Sequence, residues 1–163
     1  MSIHQQLKQD RIQAMRDKDV VAKKIIMFLL GEADVAIKDG HKEATEFEGK
    51  PVMSDKYMLD LITKARKNAI DNYVSVNGED ALYDVDFATD QSDNQYLAEV
   101  RIYHRYIPTL MSHKETAQKI DAIFDTTEVK NPGVVIGQLN KEYGNTIDKK
   151  FVSTYTNKRL KAQ

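Results

Sequence analysis

The chain has 163 residues, of which 41% are hydrophobic and 30% charged, and its formal net charge is -1. That balance belongs to a folded globular protein and excludes a disordered or membrane-embedded one, because the longest apolar run, Ile25 to Leu30, is far short of the roughly 20 residues that cross a bilayer. Cysteine is absent, which removes disulfides, thiolate metal sites and cysteine nucleophiles together.

The opening Met1 to Asp10 is polar, without a signal-type apolar stretch, so a cytoplasmic location is expected. Ile3, Leu7, Ala14 and Met15 fall at helical spacing and predict a first amphipathic helix ending near Asp17. Asp19 suits the N-cap of a second, in which Val21, Ile25, Phe28, Leu29, Ala33, Ala36 and Ile37 form an inward stripe that Gly40 ends. His41 to Pro51 mixes charges with Gly49 and Pro51 and lacks periodicity, so an exposed loop is expected there.

Ser54 opens a third helix with Met58, Leu61, Ile62, Ala65, Ala69 and Tyr73 on one face and Lys64, Arg66 and Lys67 directed elsewhere; Gly78 stops it. Glu79 to Gln91 interleaves Leu82, Val85 and Phe87 with Asp84, Asp86 and Asp90. A loop or one helical turn is expected, since a lone strand would leave its backbone groups unpaired. Helix resumes from Ser92 to Ile107, with Leu97, Val100, Tyr103 or His104 and Ile107 inward, and Pro108 forbids continuation and marks a domain boundary.

Ser112-His113-Lys114-Glu115 matches the S-x-x-E capping box and starts a helix carrying Ala117, Ile120, Ile123 and Phe124 inward. Asn131 and Pro132 suit the N-cap and first position of the next, and Gly144 its left-handed end. Asp148 caps a last helix with Phe151, Val152, Tyr155 and Leu160 inward and Lys158, Arg159 and Lys161 at its C-terminal end. The elements describe an all-α protein.

Charge is unevenly spread. Residues 101–163 hold 11 Lys or Arg against 6 Asp or Glu, which leaves 13 against 19 for residues 1–100, a basic C-terminal part beside an acidic body. Such asymmetry attracts polyanions, although solvated helix faces produce it as well. Lys141, Lys149, Lys150, Lys158 and Arg159 flank the Tyr143-Gly144-Asn145 turn, with Tyr155 as a stacking ring among them. They read either as nucleic-acid contacts or as solubility and dipole complementation.

Gly133 and Gly137 lie four apart on one helix face, where close packing against another helix competes with close approach of RNA or a partner surface. The four histidines, His4, His41, His104 and His113, show no zinc-ligand spacing, so no metal site is expected. His104 reads either as a partly buried, satisfied side chain or, with Arg101 and Arg105, as a basic helix edge. No catalytic constellation and no cofactor motif stands out.

Leu7-Lys8-Gln9-Asp10, Ala14-Met15-Arg16-Asp17-Lys18-Asp19, Ala65-Arg66-Lys67-Asn68-Ala69-Ile70-Asp71 and Tyr106-Ile107-Pro108-Thr109-Leu110-Met111-Ser112 resemble, in order, the GatB/YqeY family, whose members typically show Tyr-Leu-Pro-x-x-Leu-Ser at the last position. Gly133-Val134-Val135-Ile136-Gly137, Tyr143-Gly144-Asn145 and Asp148-Lys149-Lys150-Phe151-Val152 are similar to the family's glycine-paired helix, turn and final helix. The chain departs from the pattern at Glu79 to Asp93 and at Lys149, where glycine is commoner.

The resemblance implies an N-terminal helical bundle over residues 1–107 and a small three-helix domain over 108–163, similar to the tail domain that the GatB component of the aspartyl/glutamyl-tRNA amidotransferase carries. It further implies tRNA binding or association with an amidotransferase through Lys141, Lys149, Lys150, Lys158, Arg159, Gly133 and Gly137. Stand-alone members carry an amidotransferase-related, carbon-nitrogen ligase label without an evident active site, so no catalytic residues are expected here. The competing expectation is a module that docks on a partner protein without touching nucleic acid, through an exposed apolar patch near Val134, Val135 and Leu139.

Overall fold

Helices dominate because apolar residues recur at three- and four-residue spacing along most of the chain. The computed structural model describes residues 1–85 and 93–162. Its helices are α1 (Ile3–Arg16), α2 (Val20–Lys38), α3 (Asp55–Asn77), α4 (Gln95–Tyr103), α5 (His113–Thr126), α6 (Pro132–Tyr143) and α7 (Lys149–Lys161). The protein is essentially all-α, with one small hairpin, β1 (Ala44–Phe47) and β2 (Lys50–Met53). The chain packs as two compact units, Met1–Asn72 with Ser92–Ile107, and Tyr73–Gln91 with Pro108–Gln163.

In the first unit, α1 lies against α2. Ser2 accepts from Gln5 N and the Gln5 side chain reaches back to Ser2 N, a reciprocal capping box; Asp19 accepts from Ala22 N at 3.0 Å and caps α2. α2 buries Ala22, Ile25, Ile26, Leu29, Leu30, Ala33 and Ala36. Each of its large side chains contributes about 1.5–3 kcal/mol of burial free energy. Phe28, expected inward, is 52% exposed, and Ile26 and Leu30 take its place in the core. The stripe is rotated, because α2 is apolar over so much of its circumference that spacing leaves its orientation open.

Residues 44–53, of which 44–51 were expected as loop, form an antiparallel hairpin in which Phe47 pairs with Lys50 across the two-residue turn Glu48-Gly49. Both turn residues have positive φ, 50° and 76°, as a type I′ hairpin turn requires. Glycine at the second position was the readable signal. The strand pattern was hidden because β1 is almost wholly exposed and only Val52 and Met53 of β2 are buried.

His4 holds the hairpin in place. The Met53 N–H donates to His4 Nδ1 at 2.9 Å, and both residues are fully buried. Nearby, Ile3 N–H donates to Asp55 Oδ1 at 2.9 Å, and the Ser54 hydroxyl donates to Glu43 at 2.8 Å and accepts from Tyr57 N at 3.1 Å, capping α3. Arg66 is buried within α3, against the expectation that it points outward. α4 begins at Gln95, with Asn94 accepting from Tyr96 N and Leu97 N, and gives way to turns after Tyr103, so it is shorter than the expected 92–107 span. The Tyr106 hydroxyl donates to Asp10 at 2.5 Å, tying the segment after α4 to α1; burial first, and Asp10 second, push the Tyr106 phenol well above its ordinary range.

In the second unit, Glu79–Asp84 forms a 3-10 turn that packs on α5. This fits the expected single turn; the remainder of that expectation, including Phe87, lies outside the described residues, whereas Val85 is buried. The core joins Ile120, Ile123, Val129, Val135, Leu139, Ile147 and Val152, with Phe124, Tyr143 and Tyr155 packed around it. Among the described residues, no helix is long and apolar enough to cross a membrane.

Two consequences are measurable. Glu48→Asn relieves a left-handed backbone that glutamate tolerates poorly, and urea unfolding is expected to show a gain of about 0.5–1 kcal/mol. Burial, foremost, and Lys8 lower the His4 pKa against a smaller opposing effect of Asp34. The unfolded chain therefore takes up a proton that the folded chain resists. Stability should fall as pH drops below about 6.5, and His4→Asn, which keeps an acceptor for Met53, should show a shallower loss in thermal melts between neutral and mildly acidic pH.

Candidate nucleic-acid interface

The second unit carries the residues expected to meet RNA, and helix geometry sorts them. On α6, Val135 and Leu139 are buried in the core. At about 100° per residue, Gly133, Gly137 and Lys141 then fall together on the opposite, solvent side, one turn apart. A Cβ on Gly137 would meet nothing within 4 Å, and one on Gly133 would meet only the Asn131 side chain, at 3.0 Å. The glycine pair is therefore not the device for packing against another helix that its spacing allows. It is an open notch ending in an exposed lysine.

Pro132 starts α6 at its first turn, and Asn131 takes the N-cap backbone position without a side-chain cap hydrogen bond. Gly144, with φ of 54°, ends it. The apolar docking patch expected at Val134, Val135 and Leu139 does not form: two of the three are buried, and Val134 alone is partly exposed.

On α7, Phe151, Val152 and Thr156 are buried and define the inward side. Lys149, Lys150, Lys158 and Lys161 occupy the solvent-facing half, with Lys149 and Lys158 at its two edges and Lys150 and Lys161 nearer its middle. All four are exposed. Arg159 is on the inward half, where its Nε lies 3.5 Å from Asp121 Oδ1 and its guanidinium sits 5.0 Å from the centre of the Phe124 ring. It joins α7 to α5. Tyr155, expected as a stacking ring, donates to the same Asp121 carboxylate at 2.9 Å and stacks on Phe151. Lys161 belongs to the exposed set instead; helical phase from Lys150 would have found it.

The turn before α7 is organised by a pair that sequence spacing could not show. His113, at the start of α5, places Nε2 3.1 Å from Asp148 Oδ2 and stacks on Phe151 with ring centres 3.9 Å apart. Asp148 also accepts from Lys150 N and Phe151 N, capping α7. Burial alone raises the Asp148 carboxyl, but the hydrogen bond from His113 and those from Phe151 and Lys150 outweigh it, and its pKa ends below the ordinary value. Met111 N–H donates to Thr146 O at 2.6 Å alongside. Lys149 and Lys150 thus project from a helix start held by one carboxylate.

In the first unit, His104 is half-buried, and Arg105 lies 3.9 Å from Asp19, an ion pair between largely exposed groups. A separate open cleft of about 370 Å³ is lined by His41, Lys42, Glu43, Tyr57, Asp60 and Lys64 among others, and mixes both signs of charge.

Asp148→Ala removes both a helix cap and the partner of a buried imidazole, and is expected to cost about 2–3 kcal/mol in chemical denaturation at neutral pH. Asp148→Asn, which keeps the cap, should cost less. Because the folded-state pKa of Asp148 is depressed, its contribution is complete above the unfolded value of about 4 and is lost as pH falls further. The difference between wild type and Asp148→Asn should therefore narrow in strong acid.

No individually curated protein matches the chain. Residues 4–160 match the family described as Yqey-like protein. With nearly its whole length covered by that match, the chain belongs to the YqeY-like protein family.

Proposed function

We propose that this YqeY-like chain is a tRNA-binding protein, acting beside a tRNA amidotransferase or a related enzyme and carrying no catalytic site of its own. The observation that carries the proposal is the solvent face of α6 and α7. There, Lys141 ends a side-chain-free notch at Gly133 and Gly137, and Lys149, Lys150, Lys158 and Lys161 cover the outer half of the next helix. Ammonium groups beside a notch without side chains suit a phosphate backbone, which needs close approach more than a shaped pocket. The excess of 11 basic over 6 acidic residues in 101–163 favours the same partner over the acidic remainder of the chain.

Most of the affinity would come from phosphate contacts, so it would fall steeply with salt. Residues 108–163 would act as the binding module, and Arg159 would support it from within through Asp121 and Phe124. Docking on an enzyme partner without RNA is the second reading, but the apolar patch that would have favoured it is absent from α6.

Fluorescence anisotropy with labelled tRNA at low and moderate salt tests the proposal. Replacing Lys141, Lys149, Lys150 and Lys158 by alanine is expected to reduce the logarithmic salt slope by about one unit for each phosphate that is no longer neutralised. Arg159→Ala should lower stability more than it lowers affinity. Gly137→Ala separates the two roles of the notch: it is expected to stabilise the fold by up to about 1 kcal/mol, since nothing obstructs the methyl group, while weakening tRNA binding. Absence of binding at low salt, or full binding by the four-lysine variant, would overturn the proposal.

A further inference from the structure

The core leaves four large apolar side chains of α2 uncovered. Val20 is 76% exposed, Met27 51%, Phe28 52% and Val35 56%, although scattered apolar residues on a monomer surface are usually isolated. At helical phase they are not scattered: Val20, Met27, Gly31 and Val35 follow one another within about 80° of the helix circumference, an arc that also carries the exposed Lys24 and Lys38, and Phe28 borders them. Gly31 sits in the middle of this stripe, and a Cβ there would meet nothing within 4 Å. A glycine inside a 19-residue helix costs about 1 kcal/mol relative to alanine, and neither local backbone conformation nor intramolecular packing requires it here. Its effect is to leave a notch between Met27 and Val35.

The charges beside this stripe make it complementary to itself. Lys23 and Asp34 lie on the same flank, eleven residues and so about three turns apart. Both are exposed, and neither has an ion-pair partner among the described residues. Lys24, within the stripe itself, is near enough to the part-buried Glu99 of α4 to lower its carboxyl, which burial raises more strongly. When a second α2 is laid antiparallel on the first about a two-fold axis, residues on one flank meet the same flank of the other copy in reverse order. An axis midway between Phe28 and Leu29 places each Lys23 opposite the other copy's Asp34. The same axis brings each Met27 beside the notch at the other copy's Gly31. A parallel arrangement would instead place the two copies of this flank on opposite edges, where Lys23 and Asp34 do not meet.

We propose that the exposed face of α2 is a homodimer interface, formed by antiparallel pairing of two copies of this chain across Met27 and Gly31. A net charge of -1 opposes such association very little. One helix face of 19 residues is about 28 Å long, so the interface is at the small end of the range for specific association. Dimerisation is accordingly reversible and concentration-dependent. It uses neither α6 nor α7 and stands independently of RNA binding.

Sedimentation velocity of the full chain, from about 1 µM to about 1 mM, is expected to show a monomer–dimer equilibrium. Lys23→Asp should weaken it by about tenfold or more, and Lys23→Asp combined with Asp34→Lys should restore it to near the original value. The chain has no cysteine, so single replacements report geometry directly. Met27→Cys should form an intermolecular disulfide on mild oxidation, because the two sites lie within about 5 Å along the axis, whereas Val20→Cys, with sites about 25 Å apart, should not. Both positions are exposed, and circular dichroism checks that every variant remains helical. A monomer at all concentrations, association indifferent to the charge reversal, or equal cross-linking at both positions would overturn the proposal. So would capture of a different protein by this face while the chain itself stays monomeric.

Discussion

Backbone groups enclosed where an element stops or has yet to start must find acceptors and donors elsewhere, and the joints of this protein are built around that requirement. Met53 N–H, fully enclosed at the end of β2, is satisfied by His4 Nδ1 from the first turn of α1. Met111 N–H is satisfied by Thr146 O, across the entry to α5 and the turn before α7. Each of these bonds links segments far apart in the chain, so each sets a tertiary arrangement as well as satisfying a donor. Leaving such a donor unpaired costs about 1–3 kcal/mol, a large fraction of the stability of a domain this size.

The two units meet the requirement in related ways, with an imidazole near the start of a helix in each. His4 accepts from a backbone N–H and so must keep Nδ1 unprotonated to hold the hairpin. His113 faces a carboxylate that also caps α7, so the same Asp148 orders a side chain on α5 and the first turn of the next helix but one. The lysines that follow Asp148 are therefore presented from a rigid start rather than from a loose turn. Arg159 serves the same end from the other side of α7 by gripping Asp121.

What the surfaces offer follows from what the core does not use. α6 commits Val135 and Leu139 to the interior and leaves glycine on its outer side, which exposes backbone where most helices show side chains. α2 commits seven residues inward and still keeps Val20, Met27, Phe28 and Val35 outside. The first surface is bordered by cations and suits a polyanion. The second sets exposed apolar side chains beside one cation and one anion on the same flank, and suits a copy of itself.

The sequence by itself determined the helices and most of their ends. Ser2, Asp19, Ser54, Ser112 and Asp148 all take the capping roles open to their side chains, and Gly40, Gly78 and Gly144 all adopt positive φ, because caps and left-handed ends depend on a few neighbouring residues. Family membership was legible too, since it rests on the order of short motifs. Only the tertiary structure decided how α2 is rotated about its axis. α2 carries large apolar residues beyond its buried face, so its rotation, and with it the exposure of Phe28, depends on what α1 and α4 bring against it. The hairpin was hidden for a similar reason: strand pairing is a relation between two segments, and β1 buries too little to show alternation alone. His113 with Asp148, and Arg159 with Asp121, lie 35 and 38 positions apart and meet only because α5 and α7 pack together. Composition could place positive charge in the C-terminal part, but it took packing to turn Arg159 inward and leave the lysines outside.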